Sequence, residues 1–389
     1  MTYGILNQTI GIIGGGQLGK MMLLEAKKMG FYAVILDPTF HCPAHSLADE
    51  HIVASFDDEV AIRKLADRVD VITYEFEHIG VEVLKELEEE GHIIYPTPKS
   101  LAIIQNKYKQ KELLKKKRIP VPDFIYVSSV EDMKEAGKLF GYPFILKSCR
   151  GGYDGKGNMV VNSPEELLFA FESLGGETEE LMAEEFVPFT KEISVLACRG
   201  IDGETAVYPV GENIHQNNIL IKTMVPAQIS KTLTSRAMNL ANRVMKVFEG
   251  VGMFCVEMFV TEDKKLLVNE VAPRPHNSGH YSIEGCVTSQ FEQHIRAITG
   301  IPLGDTSLIQ PTVMRNILGE ELGAGEPEIC GVKEALSIPG VFLHIYGKEK
   351  TSPRRKMGHI TAVAKTLEEA IQKVDTAAEF IKIYPVNYK

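Results

Sequence analysis

Two glutamates thirteen residues apart, Glu257 and Glu270, sit in apolar runs, FCVEMFV and LLVNEVA, that flank the turn-forming segment TEDKK. Such flanks predict a β-hairpin, in which directly opposed residues have numbers that add to a constant. Centring the turn between Asp263 and Lys264 sets Glu257 opposite Glu270, with Cys255, Ala272, Phe259 and Val268 on the same face. Like charges about 5 Å apart on a half-buried face are destabilising unless they share a proton or hold a cation. Magnesium suits such oxygens, because it takes one or two carboxylates and completes its shell with phosphate oxygens. A Lys or Arg partner for each glutamate, or a register slip of one residue, is the alternative.

Upstream lie other groups with phosphate chemistry in them. Lys147 ends the run YPFILK, the glycine-rich loop GGYDGKG follows at 151–157, and Glu184-Glu185-Phe186-Val187 precedes Glu192. A lysine on a strand, a glycine flap and distal carboxylates recur in phosphate-transfer sites. The loop is not a Walker site, since its glycine spacing is wrong and Gly157 stands where a Ser or Thr is required. Near the N-terminus Gly14-Gly15-Gly16-Gln17-Leu18-Gly19 satisfies G-x-G-x-x-G, with Asp37 ending the next strand. Three readings stay open there: a dinucleotide, a phosphorylated small substrate at a helix N-terminus, or glycines that merely permit tight packing.

The elements that must position these groups alternate. TIGIIG, a helix in which Leu18, Met21, Met22 and Met29 recur at helical spacing, YAVILDP, HIVAS, a helix over DDEVAIRKLADRV, DVITYE and a helix near 80–90 predict a parallel α/β unit over 1–105. A basic helix, NKYKQKELLKKKR, then runs to IPVP, where two prolines stop it. From about 124 to 190 a lobe carrying the glycine loop is expected, with FIYVSS, YPFILKS, MVV and LMAEEFV as strands, inside a unit spanning 106–304 that includes antiparallel KEISVLACR and TAVYPVG, a long helix near 231–249 and the hairpin. The remainder, 305–389, offers VFLHIYG and HITAVA around a basic loop, and a final helix near 367–381.

The chain of 389 residues carries a formal charge of −10, which argues against nucleic acid and requires local basic clusters for anionic ligands. One such cluster is the loop with Lys348, Lys350, Arg354, Arg355 and Lys356, which is otherwise an ordinary solvated basic turn. Six scattered cysteines form no C-x-x-C pair and read as small buried hydrophobes. The N-terminus lacks a signal-peptide order and no apolar run nears the roughly 20 residues of a membrane helix, so a cytoplasmic protein without membrane contact is expected.

In this order, Lys147, the glycine loop, the glutamates and the hairpin resemble the ATP-grasp superfamily. IGIIGGGQLGKMM, VITYEFE, GGYDGKG, NEVAPRPHNSGHY and RRKMGHI resemble, over almost the whole chain, the 5-(carboxyamino)imidazole ribonucleotide synthases of purine biosynthesis. The resemblance implies an α/β and α+β chain: an ATP-grasp fold with an N-terminal parallel, Rossmann-like α/β domain and a small β-rich C-terminal domain. It implies a ligase that uses ATP, Mg2+ and bicarbonate to carboxylate 5-aminoimidazole ribonucleotide through carboxyphosphate, working as a homodimer.

Residue by residue, the resemblance implies ATP-phosphate contacts from Lys107 and Lys147 under a flap formed by Gly152, Tyr153, Asp154, Gly155, Lys156 and Gly157. It puts adenine on Glu184, Glu185, Phe186 and Val187, the ribose on Glu192, and His215 and Asn269 at the nucleotide's border, with Glu257 and Glu270 on the metal. Gly16, Gln17, Leu18, Glu75, Tyr153, Lys156, Arg274, His276, Asn277, Lys348 and Arg355 would face the ribonucleotide, the last two at its phosphate. Arg274, Asp154 and His276 are the implied catalytic set, with Asp154 or His276 managing the proton. Some relatives have arginine where Lys107 or Lys156 stands, which here keeps the charge and loses the bidentate contact. The rival readings are a formate-dependent glycinamide ribonucleotide transformylase or biotin carboxylase within the same superfamily, an NAD-dependent dehydrogenase, and a non-catalytic nucleotide-binding regulator.

Overall fold

The computed structural model describes residues 4–152 and 157–386. Four parallel strands open the chain, in the order Glu50–Ile52, Tyr32–Leu36, Thr9–Ile13, Val71–Tyr74. Apart from the short edge strand Glu50–Ile52, their residues are apolar almost without alternation because both faces are covered. Ile13, Val34, Leu36 and Tyr74 pack on the helices Glu59–Ala66 and Val81–Glu89. Ile10, Ile12, Ala33 and Ile35 pack on Gln17–Lys28 and also on Phe291 and Ile295 of the helix Gln290–Thr299, which returns from far along the chain.

A second sheet is antiparallel, ordered Phe124–Val127, Leu181–Glu185, Phe144–Ser148, Asn158–Val161. The helices Val130–Phe140 and Leu167–Ser173 cover it through Met133, Ala136, Leu167, Ala170 and Phe171. This small lobe holds the two ends of the glycine loop.

The largest sheet runs Leu266–Ala272, Gly252–Thr261, Phe189–Arg199, Gly211–Gln216, Ile219–Val225, Thr312–Leu318, Lys356–Val363, Val341–Ile345, with Thr205–Val207 beside Phe189–Arg199. Its C-terminal strands therefore continue the sheet of the hairpin that carries Glu257 and Glu270 rather than starting another. On one face the helix Lys231–Phe248, capped by Ser230, buries Leu233, Ala237, Leu240 and Val244 against Val195, Val256 and Met258. The strands at 211–225 and 312–318 and the helix at 290–299 go beyond the sequence reading. GENIHQ and MRNIL break hydrophobic alternation with polar residues, and the helix is recognisable mainly through its long-range packing on the N-terminal sheet.

Candidate active site

The hairpin pairs Cys255 with Ala272, Val256 with Val271 and Glu257 with Glu270. Beyond that pair the register shifts: Met258 opposes Val268, Phe259 opposes Leu267, and Asn269 is the extra residue of a β-bulge. Two departures from the sequence reading cancel. The turn is tighter by one residue, with Lys264 in the left-handed region at φ 62°, and the bulge restores the count at the glutamates. Val268 consequently leaves the glutamate face, which corrects that expectation. It joins Leu266 and Val271 in the core under Lys231–Phe248, whereas Cys255 and Ala272 pack on the opposite side. With 268 and 271 both turned to that core, Asn269 and Glu270 both belong to the cleft, the re-aiming that bulges perform beside functional sites.

The two carboxylates are not equivalent. Glu270 pairs with Lys107, and the ammonium holds its carboxyl below the usual range against the opposing effect of burial. Glu257 has no hydrogen bond or ion pair among the described residues. Burial, together with the nearby Glu270 and Glu192, pushes its carboxyl up to about 7 although His215 and Lys107 pull the other way. Glu270 keeps 45% of its side-chain surface accessible, so the pair lines a cleft and is not sealed in a core. An uncompensated carboxylate opposite a second one, both reachable from solvent, fits a hard divalent cation completed by ligand oxygens. No group of three or more potential metal ligands occurs among the described residues, so the protein alone supplies only part of a shell.

Lys107 opens the helix Lys107–Lys116, which Asn106 caps by accepting the Lys109 N–H at 3.0 Å. The buried side-chain amide of Gln110 exchanges two hydrogen bonds with the backbone of Val271, at 2.9 and 3.1 Å, and so ties this helix to the bulged strand. Lys147, near the end of Phe144–Ser148, donates to Glu184 at 2.6 Å. Glu184 is buried and also meets Lys111 at 2.6 Å; burial would raise its carboxyl, but the two lysines hold it at about 2. Its side chain is thus spent inside the protein, and a contact to adenine from position 184 is left to the backbone.

Glu185, Phe186 and Val187 form the crossing from the small sheet to Phe189–Arg199 of the large one. The Val187 N–H has no partner among the described residues, and Phe186 is exposed, so the crossing offers both a donor and an apolar surface. Glu192 accepts from His215 Nδ1 at 2.6 Å; burial opposes the charged imidazole, but Glu192 and Glu257 raise its pKa. Tyr153, Asp154, Gly155 and Lys156 lie outside the described residues, between the described Gly152 and Gly157.

After the hairpin, Arg274 forms a half-buried ion pair with Glu77 at 2.9 Å, while its Nε is buried without a hydrogen-bond partner among the described residues. The fully buried Gln290 clamps the loop, accepting the His276 N–H at 2.9 Å and donating to its carbonyl at 2.8 Å. His276 Nδ1 accepts the Ser278 N–H at 3.3 Å, so the neutral ring carries its proton on Nε2. Burial and then Arg274 hold its pKa well below the ordinary value. His276 is therefore a hydrogen-bond donor at neutral pH. Asn277 is spent on an exchange of amide hydrogen bonds with Asn316, at 2.6 and 2.9 Å, and fixes the loop to the strand Thr312–Leu318.

The glycine turn is already filled. Gly15 N–H donates to Asp37 at 2.8 Å, and Gly16 and Gly19 N–H donate to the two oxygens of Glu75 at 2.6 and 2.7 Å. A Cβ on Gly16 would stand 2.5 Å from Glu75 Oε1, so this glycine admits the protein's own carboxylate. The N–H donors on which a pyrophosphate would rest are thus taken by the protein's own carboxylates, which removes the basis of the dinucleotide reading. Leu18 is buried in the core, so only the backbone N–H groups of Gln17 and Leu18 remain at the helix start. In front lies a cavity of about 420 Å³ lined by Gly16, Asp37, Thr39, His41, Lys348 and Arg355 among others. Lys20 anchors the basic loop there by donating to the carbonyls of Ile345 and Tyr346.

Residues 7–105 match the ribonucleotide synthetase preATP-grasp domain, 112–291 the ATP-grasp domain, and 312–373 the phosphoribosylaminoimidazole carboxylase C-terminal domain. The N5-carboxyaminoimidazole ribonucleotide synthase of Bacillus subtilis is 43% identical over 366 residues, 94% of each chain. The crystal structure of the synthetase from Thermotoga maritima superposes with a TM-score of 0.89 at 47% identity, covering 97% of this chain and 99% of that one. That of the Aspergillus clavatus synthase, in complex with ADP and 5-aminoimidazole ribonucleotide, has a TM-score of 0.88 at 34% identity, covering 97% and 99%.

Proposed function

The chain belongs to the N5-carboxyaminoimidazole ribonucleotide synthase family of ATP-grasp ligases, and we propose on that premise that it carboxylates 5-aminoimidazole ribonucleotide with ATP and bicarbonate, a step of purine biosynthesis. The observation that carries the reading is the arrangement in which Lys107 pairs with Glu270, Glu257 stands opposite Glu270, and Lys147 pairs with Glu184, in a chain that also has a cavity bounded by Lys348 and Arg355. We divide the chain accordingly at about 105 and 304, between substrate-side, nucleotide and C-terminal units.

A bicarbonate oxygen attacks the γ-phosphorus of ATP, the bond to the β-phosphate oxygen breaks, and carboxyphosphate and ADP form. The 5-amino nitrogen of the imidazole then bonds to the carboxyl carbon, directly or after release of carbon dioxide, with loss of a proton and of phosphate. Magnesium held by Glu257 and Glu270 would neutralise charge on the phosphates. Lys107 and Lys147 hold the phosphate oxygens, the crossing at 185–187 takes the adenine through its backbone, and Glu192 takes the ribose hydroxyls. Lys348 and Arg355 grip the ribonucleotide phosphate. His276, as an Nε2–H donor beside Arg274, orients an acceptor oxygen of the reacting carboxyl group; this protonation state favours orientation over proton removal in the resting enzyme.

The test is isotopic. With [18O]bicarbonate, attack through carboxyphosphate delivers one bicarbonate oxygen into the inorganic phosphate released; phosphate free of label would reject this route. The homodimeric, cytoplasmic setting that the resemblance implies is part of the same proposal, and light scattering after size-exclusion chromatography reads the first of these directly.

A further inference from the structure

The helix Lys107–Lys116 carries a second lysine on the face of Lys107, one turn further on. Lys111 is 2% exposed, which is rare for lysine, and its Nζ lies 2.6 Å from Glu184. Glu184 is 1% exposed and already has a partner of opposite charge in Lys147, at 2.6 Å. One lysine suffices to pair one buried carboxylate. Two lysines on one carboxylate leave a net charge of about +1 in the cluster, at the place where the phosphates of the nucleotide are read to lie.

The neighbouring charges make that surplus matter. Lys107 is paired with Glu270, and Glu257 adds negative character nearby, so the cleft contains no other nearby uncompensated lysine among these groups. Without Lys111, Lys147 and Glu184 would form a neutral pair and the phosphates would meet a carboxylate competing for Lys147. We infer that Lys111 is a positioning residue for ATP: by sharing Glu184 it leaves the charge of Lys147 available to the phosphates. The inference rests on the ATP reading of the cleft. Burial draws the Lys111 pKa down to about 8, with Lys147 acting in the same direction and Glu184 against it, which is the electrostatic cost of holding this extra cation.

Calorimetric titration of the full-length protein with ADP separates this role from a merely structural one. Lys111→Met is expected to weaken ADP binding about tenfold or more while the KM for the ribonucleotide stays within about twofold. The double variant Lys111→Met/Glu184→Gln removes one positive and one negative charge, returns the cluster to the charge of Lys147 alone, and is expected to recover affinity to within about threefold of the parent. Unchanged ADP affinity in Lys111→Met, or a double variant at least as weak as the single one, overturns the inference. If Lys111→Met alone fails to fold, the double variant, which keeps the net charge of the parent cluster, decides the question: an ADP affinity more than about threefold below the parent's overturns the inference. Failure of the parent protein itself to bind ADP would instead reject the ATP reading of the cleft.

Discussion

Glu257 faces Glu270 across a hairpin bulged at Asn269, and among the described residues only Glu270 has a cation on it, Lys107. The asymmetry gives the pair its chemistry. One carboxylate is ionised and anchored by a lysine that the proposed function also places at the ATP phosphates. The other is held up to about 7 by burial and by its neighbours, and gains most from an incoming metal ion.

Glu270→Gln should leave the fold intact and reduce magnesium-dependent turnover roughly hundredfold or more, because one ligand loses its charge and Lys107 loses its partner. Turnover measured across a magnesium titration, alongside the thermal midpoint, separates the two effects. Near-normal turnover at ordinary magnesium concentrations would remove the metal assignment.

Arg355 stands on the exposed basic loop and lines the cavity in front of Gly16, whereas its neighbour Arg354 turns to Glu321 at 2.6 Å. Arg355→Ala should raise the KM for the ribonucleotide about tenfold with little change in kcat, and Arg354→Ala should change neither appreciably. Equal effects of the two substitutions would count against a specific phosphate grip.

Three fully buried histidines outside the proposed catalytic set are expected to contribute to the acid sensitivity of the fold. His280, His294 and His359 have pKa values lowered by burial, His294 to about 3, so the folded state keeps them neutral while the unfolded chain protonates them near 6.5. The folded protein then binds fewer protons: this contribution is fully present above pH 6.5 and is lost as pH falls toward the folded values. The expected slope is roughly 1.4 kcal/mol per pH unit for each histidine. A thermal midpoint that is flat between pH 7 and pH 5 would contradict it, and His294→Gln should make the decline shallower.

The legibility of the site in the sequence was uneven for physical reasons. Opposition of Glu257 and Glu270 was readable because hairpin geometry is local, although a tighter turn and a bulge had to cancel for the count to hold. Val268 was misplaced because a bulge has no reliable signature in a run such as LLVNEVA. The glycine turn is ambiguous in sequence, since the same glycines that admit a pyrophosphate admit the side chain of Glu75, and only the fold brings residue 75 to residues 16 and 19. Lys111 was hidden in the basic run NKYKQKELLKKKR, where nothing local distinguishes a buried lysine from its solvated neighbours. The Asn277–Asn316 clasp and the Gln290 clamp are contacts between distant segments and have no local signal at all.

The most direct measurement is ADP release by the purified protein with ATP and magnesium, comparing 5-aminoimidazole ribonucleotide plus bicarbonate with glycinamide ribonucleotide plus formate. The account predicts strong stimulation by the first pair and none by the second; stimulation by the second pair alone would contradict it.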